Sequence, residues 1–146
     1  LVAREERLGT TTTEAKAALD GIIRAAEHAM SPYSAAPLKI AVMSIRSTST
    51  NANDTSVAWS YSPSAHNLTV KQCPEKTPMP ATGMIEANAT AIVVQAEYQY
   101  TPILKDIVPF SWDNKPFRET ATNSPRLGCV IFGDFDCNKS GCPPAS

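Results

Sequence analysis

The chain is 146 residues long, 42% apolar and 18% charged, with a net charge of −1 and an isoelectric point near 6.1. That length and composition describe one globular domain, able to bury roughly 70% of its unfolded surface, rather than a disordered chain. The balance offers no basic field for nucleic acid or anionic lipid, and no apolar run reaches the ~18–20 residues of a membrane-spanning helix.

Thr10 to Thr13 form a polar tract, and Thr11-x-x-Glu14 fits a capping box that opens a helix. From there Ala15, Ala18, Leu19, Ile22, Ala25, Ala26 and Ala29 recur at steps of three and four, one apolar stripe on an amphipathic helix. Ser31-Pro32 stops it, because proline disfavours the α conformation in the residue before it. Beyond Pro37 the period changes to two. Leu38, Ile40 and Val42 alternate through a strand that ends near Arg46, and Ser56–Tyr61, with Trp59 inside it, reads as the next. A third short strand is expected over His66–Gln72, the three forming an antiparallel meander. Cys73–Gly83 holds three prolines and reads as a loop.

The strongest strand is Ala91–Tyr100. Ile92, Val94, Ala96, Tyr98 and Tyr100 take one face, and Gln95, Glu97 and Gln99 the other, as in a sheet with one side on the core. Phe110–Arg126 reads as a less regular tail. The sum is an α+β domain, a long N-terminal helix packed on an antiparallel sheet. Its expected core includes Leu19, Ile22, Ile40, Val42, Trp59, Val94, Tyr98 and Tyr100.

Cys73, Cys129, Cys137 and Cys142 are even in number and gather towards the C-terminus. A structural zinc site needs two closely spaced ligand pairs, often with histidines. Here one loose pair stands with two singletons and only His28 and His66. Two disulfides fit this better, which implies a periplasmic or extracellular compartment. Four cysteines allow three pairings. The expectation is a local clasp, Cys137–Cys142, and a long-range bridge, Cys73–Cys129.

Catalytic chemistry finds few candidates. A serine, cysteine or threonine nucleophile needs a positioned base. Neither His28 on a helix flank nor His66 in a turn lies near a nucleophile elbow, so both read as solvated. Asp134 and Asp136 resemble a fragment of a calcium loop but lack its further oxygen ligands. Six scattered glycines make no phosphate-binding loop. No metal, cofactor or catalytic residue is therefore expected.

Several stretches in order carry a resemblance. They are Leu1-Val-Ala-Arg4, the threonine-capped helix ending Ile22-Ile-Arg-Ala-Ala-Glu-His-Ala-Met-Ser-Pro-Tyr33, the strand Leu38 to Ile45, and Val57-Ala-Trp-Ser-Tyr61. The most specific is Ile92-Val-Val-Gln-Ala-Glu-Tyr-Gln-Tyr-Thr-Pro102, followed by a strand position at Arg118–Arg126 ending in Pro125-Arg126. Over residues 1–127 the chain resembles the TadE/TadG-like family, minor pilins or pseudopilins of tight-adherence (Flp-type) pili. The family's hydrophobic N-terminal helix is not in this sequence, and Gly128–Ser146 has no counterpart in its pattern.

The resemblance implies a non-enzymatic subunit in the assembly of an adhesive bacterial pilus. Residues 1–146 would be a single domain, with 1–13 a linker from an upstream membrane helix and 128–146 a cysteine-rich tail. The absence of an initiator Met and of a signal pattern agrees with the expectation that the sequence continues upstream of Leu1. The domain would project into the periplasm from the inner membrane, or stand in the extracellular pilus. Its partners would be other minor pilins, the major pilin and the inner-membrane assembly platform. The alternative is a secreted adhesin or carbohydrate-binding module that uses Trp59, Trp112 and the tyrosines as a platform.

Overall fold

A computed structural model describes residues 1–47, 51–78, 85–100, 116–125, 128–136 and 141–143. Val2–Arg4 form a short 3-10 turn. A two-residue strand, β1 (Arg7–Leu8), follows. The helix α1 (Thr12–Ala29) starts where the threonine tract places it: Thr11 is the N-cap, and its hydroxyl accepts from the Glu14 amide at 3.2 Å. The Glu14 carboxylate reaches back one residue further than a capping box requires, to the amide and hydroxyl of Thr10. The Thr10 hydroxyl, then its amide, holds that carboxyl below its ordinary pKa.

Four strands make the main sheet: β2 (Leu38–Ser47), β3 (Thr55–Tyr61), β4 (Thr90–Gln99) and β5 (Pro116–Asn123), in the order β3-β2-β4-β5 with every pair antiparallel. A last two-residue strand, β6 (Ile131–Phe132), pairs in parallel with β1. The fold is thus mixed α+β. The helix has eighteen residues and comes after a turn and a strand, so it is neither long nor leading.

The core lies between the first half of α1 and the face of the sheet made by Val42, Trp59 and Ile92. Ala15 and Leu19 come from the helix, Val2, Ala3 and Leu8 from the N-terminal segment, and Cys129, Val130 and Phe132 from the C-terminal one. Trp59 is 1% exposed, stacks on Phe132 at 5.1 Å, and donates its indole N–H to the Val130 carbonyl at 3.0 Å. Gly133 closes this end. It sits at φ +65°, and a Cβ there would lie 2.5 Å from the Thr11 carbonyl carbon, so no side chain fits under the helix start.

Some expectations need correction. His66–Gln72 is not a third strand. Ser64–His66 is a 3-10 turn, and only Asn67 forms an isolated bridge, to Ile40. The outer edge of β3, where the third strand of a meander would pair, is bonded instead by residues 75–77, and the segment before them crosses over the second face of the sheet. There Val70 packs against Met43, Ile45 and Val93. Part of the expected irregular tail, in turn, is β5. Its one-sided apolar signal is weak because seven of its eight residues are exposed.

Of the residues assigned to the core, Leu19, Ile40, Val42 and Trp59 are buried, while Ile22, Val94 and Tyr98 are half-buried. Tyr100 is exposed, one residue past the end of β4, with its ring edge-on to Phe117. The cysteine pairing is also different. Cys73 bonds to Cys142, which excludes both Cys73–Cys129 and Cys137–Cys142. Cys129 is disulfide-bonded too. Cys137 lies outside the described residues.

Candidate interaction surface

The two flanks of α1 are chemically unlike. Asp20 and Glu27, seven residues apart, share one flank, and both are tied down. Asp20 accepts from the Tyr61 hydroxyl at 2.6 Å, and Glu27 pairs with Nε2 of His66. The other ring nitrogen of His66 meets the Leu38 carbonyl at 2.7 Å. His66 is therefore not solvated: it links the second half of the helix to the start of β2. Burial and the Asp20 carboxylate push the Tyr61 phenol up to about 12.

The opposite flank carries Ala18, Ile22, Ala25 and Ala29, again three or four residues apart. The stripe expected from the sequence is only partly buried. Ile23 takes the core position beside Leu19, while Ala18, Ala25, Ala26 and Ala29 remain exposed. A groove of about 510 Å3 opens there between the helix and the sheet. Ile22, Ile23, Ala25, Ala26 and Ala29 line one wall, and Ile40, Val94 and Ala121 the other. The groove ends at β5, the outermost strand on that side.

The two sheet edges also differ. Along β3, residues 75–77 lie as a cover: the Val57 amide donates to the Glu75 carbonyl at 3.0 Å, and the Thr77 amide to the Thr55 carbonyl at 3.1 Å. Lys76 adds an ion pair with Asp54 at 2.7 Å. The start of the Cys73–Gly83 loop thus masks one edge, while residues 79–83 lie outside the described residues. Among the described residues no strand pairs with the outer side of β5.

A second cleft, about 710 Å3, lies on the β3 side between Lys16, Tyr61, Leu68, Gln72, Phe132 and the Cys73–Cys142 bridge. Two of its polar side chains are engaged within the fold: Tyr61 with Asp20, and Gln72 with Ser60 and the Val70 carbonyl. Trp59 shows almost no surface there, so it makes no sugar-stacking platform. Trp112 lies outside the described residues.

Asp134 accepts from the Thr12 hydroxyl at 3.2 Å and helps hold the helix start. Glu97, on the wet face, pairs with Arg118 at 2.9 Å. Among the described residues no three of His, Cys, Asp and Glu gather as metal ligands, and no helix is long and apolar enough to cross a membrane.

Sequence reasoning missed Ile23, the Asp20–Tyr61 and Glu27–His66 links, and the open edge. The seven-residue spacing of Asp20 and Glu27 along the rim of the stripe was the available signal for the links. Comparison with family models, curated proteins and solved structures finds no match to this chain.

Proposed function

We propose that the chain is a non-enzymatic assembly subunit, a minor pilin or pseudopilin of the TadE/TadG-like kind, working in a tight-adherence pilus. One observation carries this reading: the apolar flank of α1 stands open as a groove against the sheet. An alanine-rich helix flank lets another helix or sheet approach closely, and apolar area left open in this way is a feature of subunits that pack against neighbours. The opposite flank of the same helix is tied to the sheet side by Asp20 and Glu27, which leaves this flank as the one turned to a neighbour.

In this reading the domain stands on the periplasmic side of the inner membrane, or in the pilus itself, joined to a membrane helix upstream of Leu1. Oxidised Cys73, Cys129 and Cys142 suit that compartment. The partners are other minor pilins, the major pilin and the assembly platform. Docking against neighbours, rather than conversion of a substrate, is the activity.

The test is a pair of groove variants, Ala26→Glu and Ala29→Glu, in the full-length protein of the pilus-bearing cell. Both sites are exposed, so the thermal melt should be unchanged. Loss of co-purifying pilins and fewer pili by electron microscopy are expected. Normal pilin capture and pilus number in both variants would overturn the reading.

A further inference from the structure

Backbone alternation fixes which groups β5 presents at its outer edge. At one end of the β2–β4 ladder the Gln99 amide donates to the Pro37 carbonyl at 3.5 Å, and at the other the Ser47 amide donates to the Ala89 carbonyl at 2.9 Å. The register between these ends is unbroken, so odd-numbered residues of β4 bond to β2 and even-numbered ones to β5. Carried across the next ladder, this turns the backbone groups of Phe117, Glu119, Ala121 and Asn123 towards β4. Pro116 falls opposite Gln99, where no N–H is needed. Arg118, Thr120 and Thr122 direct their N–H and C=O groups outward.

Sheet edges are usually blunted by lysines, prolines, bulges or a covering segment. The β3 edge has its cover in residues 75–77. On β5 there is no lysine, Pro116 is at the first position, and the ladder with β4 has no bulge. The guanidinium of Arg118 is drawn sideways onto Glu97, over the sheet face away from the helix, and among the described residues no strand pairs with the outer edge.

We propose that β5 pairs with β5 of a second copy of this chain. The two strands run antiparallel about a two-fold axis at Thr120, with Arg118 opposite Thr122 of the second copy. The charge pattern selects this register. An axis at Arg118 sets two guanidinium groups face to face, and one at Glu119 does the same for two carboxylates, both unfavourable for directly opposed residues. An axis at Ala121 shortens the overlap. The axis at Thr120 pairs the whole stretch from Phe117 to Asn123 and sets Glu119 against Ala121. The contact is isologous and closes after two copies. It joins the two four-stranded sheets into one and leaves the α1 groove free, so it goes beyond the assembly reading and stands or falls separately from it.

The purified chain tests this without other pilins. Sedimentation across a concentration series should give a dimer that dissociates on dilution. Thr120→Pro removes only an outward N–H, and should weaken the dimer by more than about tenfold while the melt of the monomer is kept. If that variant fails to fold, amide exchange in the unaltered chain decides instead. The amides of Arg118, Thr120 and Thr122 should slow as concentration rises, while those of Phe117, Glu119, Ala121 and Asn123 are protected throughout. A monomer at every concentration, a dimer that leaves the three outward amides fast, or a dimer undisturbed in folded Thr120→Pro would overturn the proposal. So would protection of these amides only by a different protein. None of these results bears on the groove variants, so the two readings fail separately.

Discussion

The Tyr61 hydroxyl donates to Asp20 Oδ1 at 2.6 Å and ties β3 to the middle of α1. Burial comes first and the Asp20 contact second in raising the phenol from 10.0 to about 12. The folded state thus holds this proton more tightly than the unfolded chain does. The contribution to stability is complete below pH 10 and is lost as pH rises towards 12. Tyr61→Phe should cost about 1 kcal/mol at neutral pH. In melts at rising pH the gap between the two proteins should narrow above 10 and close near 12. A constant gap would mean that the hydrogen bond is not made in solution.

His66 is the second tie, between Glu27 on α1 and the Leu38 carbonyl at the start of β2. His66→Ala leaves a half-buried carboxylate and a carbonyl without this partner, and should cost about 2 kcal/mol in urea unfolding. His28, exposed on the same helix, should tolerate alanine within about 0.5 kcal/mol. Equal effects at the two positions would contradict the arrangement.

What the sequence disclosed divides by the range of the interaction involved. The Thr11 cap and the alternation of Leu38 to Arg46 and of Ile92 to Tyr98 are local patterns, and the elements they specify lie where those patterns put them. The pairing of β2 with β4 is not local. Nor is the placing of His66–Gln72 local: the outer edge of β3 is bonded by residues 75–77, and Val70 packs on the sheet face instead. β5 was hidden because an edge strand wet on both faces carries little one-sided pattern. Ile23 was left out of the stripe because its neighbour Ile22 fits the same periodicity, and only the position of the sheet decides between them. The disulfide partners were unreadable for the same reason, since Cys73 and Cys142 are 69 residues apart and meet only through the fold.

That separation makes the bridge a strong restraint on the unfolded chain. Closing a loop of 69 residues corresponds to about 4 kcal/mol on the chain-entropy scale, an upper figure in practice. Cys142→Ser should therefore lower the melting temperature markedly. Mass spectrometry of an unreduced digest should find a peptide pair joining Cys73 to Cys142. A pair joining Cys73 to Cys129 would contradict the pairing described here.

Ser44 runs against the usual satisfaction of buried polar groups. It is 0% exposed, stands between Trp59 and Ile92 in the two ladders, and its hydroxyl has no hydrogen-bond partner among the described residues. Removing a desolvated, unpaired hydroxyl at little loss of volume is favourable. Ser44→Ala should raise unfolding stability by about 1 kcal/mol, measured by urea titration with an unchanged m-value. A loss of stability would mean that the hydroxyl has a partner in solution.

Ile22 and Ile23 both line the groove but differ in burial. Ile23 is 3% exposed within the core, so Ile23→Asp buries a carboxylate and should unfold the domain, at a cost of about 4 kcal/mol or more. Ile22 is half-buried on the groove wall, where an aspartate can reach water. Ile22→Asp should then cost only about 1–2 kcal/mol and leave a cooperative melt. The expected stripe and core include Ile22 and not Ile23, so the pair discriminates between the expected stripe and the observed one. If Ile22→Asp unfolds the chain as fully as Ile23→Asp does, the flank of α1 is closed against the sheet in solution. The groove is then not available to a neighbouring subunit.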